Sequence, residues 1–245
     1  GWFKVVPGYY LNAADYDDAE DNWYYADGKG KLYAGEIKSI KGKKYAFDLD
    51  GAMISGLAVL KVENGNEIAE YVDDENYDTE EEFDAYASTM GAGYAVYFFS
   101  DDEDHDGAMK TGNQKVKIDG DTFTFKFKKA GSDKGTGIQG KDDDKYYLAG
   151  KLLTADSDNK IEIINKTTLE KVAVSDFVKA NGTKEVLNAA KGKAKSGDTY
   201  YTISGADEFE VVNTAGSVVK SGTKKDGDGF KVVIKNKKID YIYVD

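Results

Sequence analysis

The chain has 245 residues, a formal net charge of -12 and a pI near 4.7. It contains 27 Gly, one Pro, no Cys, and every strong base is Lys rather than Arg. Without thiols it forms no disulfide, no cysteine nucleophile and no Cys-based zinc site. An acidic chain without Arg lacks the bidentate groups that read phosphate and guanine, so nucleic acid is a poor partner. The same charge opposes adsorption to anionic membranes, and no apolar run has the length of a membrane span.

In chain order, the first informative segment is Trp23-Tyr24-Tyr25-Ala26-Asp27-Gly28-Lys29-Gly30-Lys31-Leu32-Tyr33-Ala34-Gly35. Its plan is an aromatic strand, an Asp-Gly turn and the phrase Gly-x-apolar-x-x-Gly. The plan returns in Lys44 to Gly56, with Tyr45, Phe47, Asp50-Gly51 and Met53, and again from Tyr97-Phe98-Phe99 to Gly112, with Asp106-Gly107 and Met109. Looser copies end at Gly140, Gly197 and Gly222. Internal repetition decides architecture before any single residue does. Asp-Gly and Asn-Gly pairs at 27–28, 50–51, 64–65, 106–107, 119–120 and 181–182 predict tight turns, because these residues accept positive φ.

Between the second and third copies, Thr79-Glu80-Glu81-Glu82 has the spacing of a capping box and predicts a short helix inside an insertion, residues 58–96. Asp121 to Lys128 alternates three Phe with polar residues, as a half-buried strand does. Further strands are expected at 160–164, 208–212, 230–234 and 239–244, with one more helical turn at 176–180. The expected fold is mainly β: tandem β-hairpin repeats forming a solenoid-like array with a short helical insertion. The expected organisation is hairpin repeats over 1–57, the insertion over 58–96, and more degenerate hairpin repeats over 97–245. The opening on Gly1-Trp2-Phe3, inside a repeat-like phrase, suggests that a further region precedes it.

The repeats resemble the cell-wall-binding repeats of Gram-positive surface proteins, related to choline-binding and glucan-binding repeats. The resemblance rests on Trp23-Tyr24-Tyr25, Asp27-Gly28, Leu32 and Gly35; on Tyr45, Phe47, Asp48, Gly51, Met53, Gly56 and Leu57; and on Phe98-Phe99, Gly107, Met109 and Gly112. It covers residues 22–57 and 97–112 well and 113–222 weakly. It implies a non-catalytic module that holds a secreted, extracellular protein on the bacterial cell wall, with a wall polymer, a glucan or a choline-like group as partner. In the choline-binding branch, aromatics of neighbouring hairpins enclose a quaternary ammonium by cation–π attraction. Candidate ligand-binding residues are Trp2, Trp23, Tyr24, Tyr45, Phe47 and Phe99. Choline-type units usually end in Gly-Trp, whereas Gly56 here precedes Leu57 and Gly112 precedes Asn113, which favours stacking on sugar rings. A structural spacer or protein-adhesion region is the alternative.

Asp102, Asp104 and Asp106-Gly107 match the opening of a calcium loop, but Asn113 stands where the closing bidentate Glu belongs. A solvated acidic turn is the expectation there. His105, the only His, has no nucleophile or metal cluster in its sequence surroundings. No Gly-x-Ser-x-Gly, Walker, His-Glu-x-x-His or dinucleotide phrase is present, so neither an enzyme nor a cofactor is expected.

Overall fold

A computed structural model describes residues 1–6, 8–10, 21–72, 74–101 and 106–245. The chain divides into two compact units: Gly1–Ile138 with Ala149–Lys151, and Gln139–Leu148 with Leu152–Asp245. The division falls inside the stretch 97–245.

In the first unit, β1 (Trp2–Val5) pairs antiparallel with β2 (Asn22–Tyr25). Five strands follow in one antiparallel sheet: β3 (Glu36–Ile40), β4 (Lys43–Phe47), β5 (Gly56–Glu63), β6 (Glu67–Val72) and β7 (Tyr94–Phe99), in the order β4-β3-β6-β5-β7. Residues 58–96, set apart in the sequence as an insertion, thus complete this sheet. They also hold α1 (Glu80–Thr89), capped as its sequence predicts, with the Glu82 N–H donating to Thr79 Oγ1 and the Thr79 N–H to Glu82 Oε2. Buried Phe83 meets the Phe125 ring edge-on at 5.4 Å. The strands β8 (Gly112–Ile118) and β9 (Asp121–Phe127) form a hairpin through Asp119-Gly120. The core of this unit gathers Ile37, Ile54, Leu60, Ile68, Tyr97 and Phe99, with Phe47 and Ala108 in an adjoining cluster.

The second unit begins with the hairpin of β10 (Gly140–Asp142) and β11 (Lys145–Leu148). Next comes β12 (Lys151–Leu152), whose Lys151 pairs with Phe125 within the first unit. Then β13 (Ile161–Asn165) is flanked by β14 (Lys171–Ala173) and, later in the chain, β17 (Phe209–Asn213). The remaining strands, β15 (Gly182–Val186), β16 (Thr199–Ile203), β18 (Gly222–Lys225), β19 (Lys231–Lys235) and β20 (Lys238–Val244), order as β15-β16-β20-β19-β18. α2 (Val174–Asn181) buries Val174, Phe177 and Val178 against Ile163, Val211, Val232 and Ile242. Asn181-Gly182 is not the expected hairpin turn. Gly182 joins α2 to β15 at φ -92°, and a Cβ there would lie 2.7 Å from the Val178 carbonyl oxygen. Close approach, rather than positive φ, demands glycine at that junction.

The sequence phrase Gly-x-apolar-x-x-Gly corresponds to one recurring backbone device. Its two glycines are both left-handed: Gly30 and Gly35 at φ 83° and 62°, Gly51 and Gly56 at 93° and 75°, Gly107 and Gly112 at 52° and 74°, Gly135 and Gly140 at 95° and 87°. The apolar residue between them bridges back to the end of the aromatic strand, in the pairs Ala26–Leu32, Phe47–Met53, Phe99–Met109 and Phe127–Gly137. The next residue donates its N–H to the carbonyl one before the strand end: Tyr33 to Tyr25 at 3.0 Å, Ile54 to Ala46 at 2.9 Å, Lys110 to Phe98 at 2.7 Å and Ile138 to Lys126 at 2.9 Å. The intervening turn is held by a side-chain oxygen. Asp27 Oδ1 accepts from the N–H groups of Lys29 and Lys31, and Asp48 Oδ1 from those of Asp50 and Ala52. Asp mimics a backbone carbonyl in this way, which is why it recurs at these turns.

Consecutive copies are joined by a second bond. The N–H of Met53 donates to the Trp23 carbonyl at 2.7 Å, that of Met109 to Lys44 at 2.8 Å, and that of Gly137 to Val96 at 2.7 Å. Each acceptor stands three residues before its own strand end. Side chains follow the same step. A Cβ on Gly107 would meet Met53 Sδ at 2.3 Å, and one on Gly135 would meet Met109 Sδ at 2.4 Å. Gly107 and Gly135 are therefore the seats of the apolar residues of the copies before them.

Two further copies occur after residue 138. Val212–Val218 is bridged in the same manner, with Val219 N–H on the Val211 carbonyl at 2.8 Å and Asn213 holding the turn. Gly150-Lys151-Leu152-Leu153-Thr154-Ala155 is a copy that the sequence pattern passed over, because Ala155 replaces the closing glycine. The Leu153 N–H donates to Tyr146 at 2.9 Å, the Val218 N–H donates to Asp144 at 2.8 Å, and Leu152 seats over Gly216. The phrase ending at Gly197 differs. Lys191 and Ala194 exchange both backbone bonds within one turn, and Gly192 is covered by the Tyr241 hydroxyl.

Candidate functional site

The register of β1 on β2 places Trp2 opposite Tyr25 and Lys4 opposite Trp23 on one face, and Phe3 opposite Tyr24 on the other. Phe3 and Tyr24 stack at 5.7 Å, and Tyr24 is fully buried. On the first face Trp2 becomes the centre of a ring cluster, edge-on to Tyr45 at 4.9 Å, to Tyr25 at 5.0 Å and to Trp23 at 6.5 Å, and 5.8 Å from Phe47. Tyr33 stacks on Tyr25 at 5.2 Å. Edge-to-face packing of this kind adds roughly 0.5–1.5 kcal/mol per pair beyond burial.

Of the six residues expected to touch a ligand, Trp2, Trp23, Tyr45 and Phe47 are brought together and Tyr24 and Phe99 are not. Phe99 stacks with Tyr97 at 6.2 Å in the next copy. Phe47, Tyr24 and Phe99 have 0% exposure, so their contribution is to position neighbours. Trp2 and Trp23 are half-buried. Tyr25 and Tyr33 also belong to the cluster. The two-residue alternation from Trp23 carries the signal for Tyr25, and adjacency to the bridging Leu32 carries that for Tyr33.

Burial, and next the Asp106 carboxylate beside its hydroxyl, raise the Tyr45 phenol above its ordinary range. Burial also raises Asp48, against the backbone N–H groups of Ala52 and Asp50. The equivalent Asp27 is lowered, first by the N–H of Lys31 and then by that of Lys29. Lys38 Nζ lies 4.9 Å above the Tyr33 ring and 3.3 Å from Glu36. One ring face of the cluster thus already holds an ammonium from the chain itself.

Two clefts open at successive junctions between copies. The first is lined by Trp23, Met53 and Ser55 with Lys4, Asp21 and Asp101. Lys4 lies 3.5 Å from Asp21, which leaves the Asp101 carboxylate beside an indole and a thioether. An aromatic face, a polarisable sulfur and a carboxylate are the chemistry of a cation or a sugar site. The second cleft, one copy further along, replaces Trp23 by Lys44, Met53 by Met109 and Ser55 by Thr111. Asp106, one of the three calcium candidates, lies 2.8 Å from Lys43 and 3.6 Å from Lys110. Asp102, Asp104 and His105 lie outside the described residues. Among the described residues, no group of three or more metal-ligating side chains occurs, and no helix is long and apolar enough to cross a membrane.

No family model and no curated protein matches the chain. Solved structures do. CbpF in complex with ipratropium is 18% identical over 98% of this chain and 48% of its own, with a TM-score of 0.42. Choline binding protein F from Streptococcus pneumoniae, in the presence of a peptidoglycan analogue, is 18% identical over 89% of this chain and 43% of its own, with a TM-score of 0.38. The modular autolysin LytC from Streptococcus pneumoniae is 13% identical over 97% of this chain and 38% of its own, with a TM-score of 0.23. The chain spans less than half the length of each of these proteins. The superpositions are loose, so the repeat geometry carries the functional reading.

Proposed function

We propose that the chain is a non-catalytic binding module that retains a secreted protein on the bacterial cell wall, or on an extracellular glycan, through aromatic contacts of its hairpin repeats. The observation that carries this reading is the first cleft. There the ladder of copies sets a half-buried Trp23 beside Met53 and an acidic rim, next to the ring cluster around Trp2. A single cation–π or stacking contact contributes about 0.5–2 kcal/mol. Linked weak sites gain effective concentration, which raises avidity by roughly 10²–10⁴. The ipratropium and peptidoglycan-analogue complexes belong to the proteins named above; for this chain the ligand class is read from the rings. We further infer that the copies continue as a stepping, solenoid-like array, supported by the N–H bonds from each copy to the one before.

The spacer or adhesion reading has its own support in Tyr24, Phe47 and Phe99, aromatics of three copies that are fully withdrawn from solvent. Cosedimentation of the pure chain with insoluble Gram-positive walls and with insoluble glucan, with and without excess choline, separates the two. Retention that is lost in the Trp23→Ala variant while its circular dichroism spectrum is kept supports the binding module. Equal retention of Trp23→Ala, or none by the parent chain, favours the spacer. Choline-sensitive retention identifies an ammonium ligand, and choline-insensitive retention a sugar.

A further inference from the structure

The second inter-copy cleft has chemistry of the opposite sign to the first. Its volume is about 360 Å³, and Lys43, Lys44, Lys110 and Lys134 line it with Asp106. The ladder assembles these lysines from three copies. Lys43 and Lys44 stand on β4, and the Lys44 carbonyl accepts the Met109 N–H. Lys110 follows Met109, and Lys134 precedes Gly135, the glycine on which Met109 seats. Lys43 and Lys110 share the one carboxylate of Asp106, which also accepts from the Tyr45 hydroxyl at 3.4 Å. Among the described residues, Lys44 and Lys134 have no carboxylate within ion-pair distance.

We propose that this cleft binds a phosphate group, presented as a mono- or diester on an extracellular polymer. A chain of net charge -12 repels anions over most of its surface, so four ammonium groups in one recess form a local exception with steering power. Phosphate fits better than carboxylate. A monoester offers three non-bridging oxygens and a charge of about -1.5 to -2, a diester two such oxygens and a single charge, and either tetrahedral group can engage more than one lysine, whereas lysine lacks the planar fork that pairs a carboxylate bidentately. Thr111, on the same wall, supplies a hydroxyl donor. The site is independent of the aromatic reading: it shares the ladder with the first cleft but none of its lining side chains.

The test is calorimetric titration of the full chain with inorganic phosphate, with poly(glycerol phosphate) and with polyglutamate at matched ionic strength. The double variant Lys44→Gln/Lys110→Gln is run beside Lys224→Gln/Lys225→Gln, which removes the same charge from β18. The proposal expects the cleft variant to bind phosphate at least about tenfold more weakly, as the loss of one to two charge-assisted bonds implies. It expects the β18 variant to be unchanged and Asp106→Asn, which removes the internal competitor, to bind more tightly. Tighter binding per phosphate on the polymer assigns the source to a polymer, and equal binding assigns it to free phosphate; both support the site. Equal loss in both lysine pairs, equal binding of polyglutamate, or no heat from phosphate with the parent chain would overturn it. Choline is the internal control: loss of choline or wall retention in Trp23→Ala with phosphate binding intact separates failure of the aromatic reading from failure of this one.

Discussion

The two clefts of the first unit occupy the same place in successive copies, yet one presents an indole, a thioether and surplus carboxylate, and the other four ammonium groups. The backbone around them is equivalent: Met53 donates to the Trp23 carbonyl as Met109 donates to that of Lys44. Location is thus set by main-chain bonds, and chemistry by whichever side chain projects from the accepting residue. A repeat array can therefore carry unlike sites on like frames, which distinguishes it from a fold whose single pocket is shaped by its whole core.

The largest effect is expected where both clefts share support. Phe47 has 0% exposure, bridges to Met53 and lies under Trp2. Phe47→Ala should cost about 3–5 kcal/mol in urea denaturation and damage both clefts together. Next, Gly107→Ala forces an L residue to φ 52° and drives its Cβ onto Met53 Sδ. A loss of roughly 2–3 kcal/mol is expected, with binding disturbed in both clefts. Gly135→Ala crowds only Met109 and should spare the first cleft, an asymmetry that ligand titrations of the two variants would check. An exchange variant sharpens the comparison with less cost. Trp23→Lys with Lys44→Trp should leave stability within about 1 kcal/mol, since both positions are only half-buried, while moving aromatic-ligand binding from one junction to the other in chemical-shift mapping. Least in size is a pH effect. The Tyr45 phenol is raised in the folded state, so its contribution to stability is fully present below the unfolded value of about 10 and is lost as pH rises through the higher folded value. Urea midpoints measured across alkaline pH should fall more steeply for the parent chain than for Tyr45→Phe.

Much of this frame is legible in the sequence, because its glycines and turn aspartates are dictated by backbone geometry. Positive φ at both ends of each phrase admits few other residues, and Asp27 and Asp48 close their turns with their own side chains. The strand alternation and the capping box at Thr79 are local for the same reason. What escaped was non-local or substituted. The copy ending at Ala155 lacks the closing glycine, and the Gly197 phrase has the letters without the preceding aromatic strand, so it closes on itself. The expected platforms at Tyr24 and Phe99 turned inward because alternate residues of a strand face opposite sides, and one side is the core. The lysine cleft draws on residues 43 to 134, and only the ladder between copies brings them to one place.

The bond from each copy to its predecessor is made by a carbonyl, a group that every amino acid carries. Trp23, Lys44 and Val96 serve equally as acceptors, so the joint places no restriction on the identity of the residue at that position. Duplication of such a unit yields a slot that mutation can rewrite without loosening the chain. The chemistry of that slot is then free to drift copy by copy, by single substitutions rather than by a new fold.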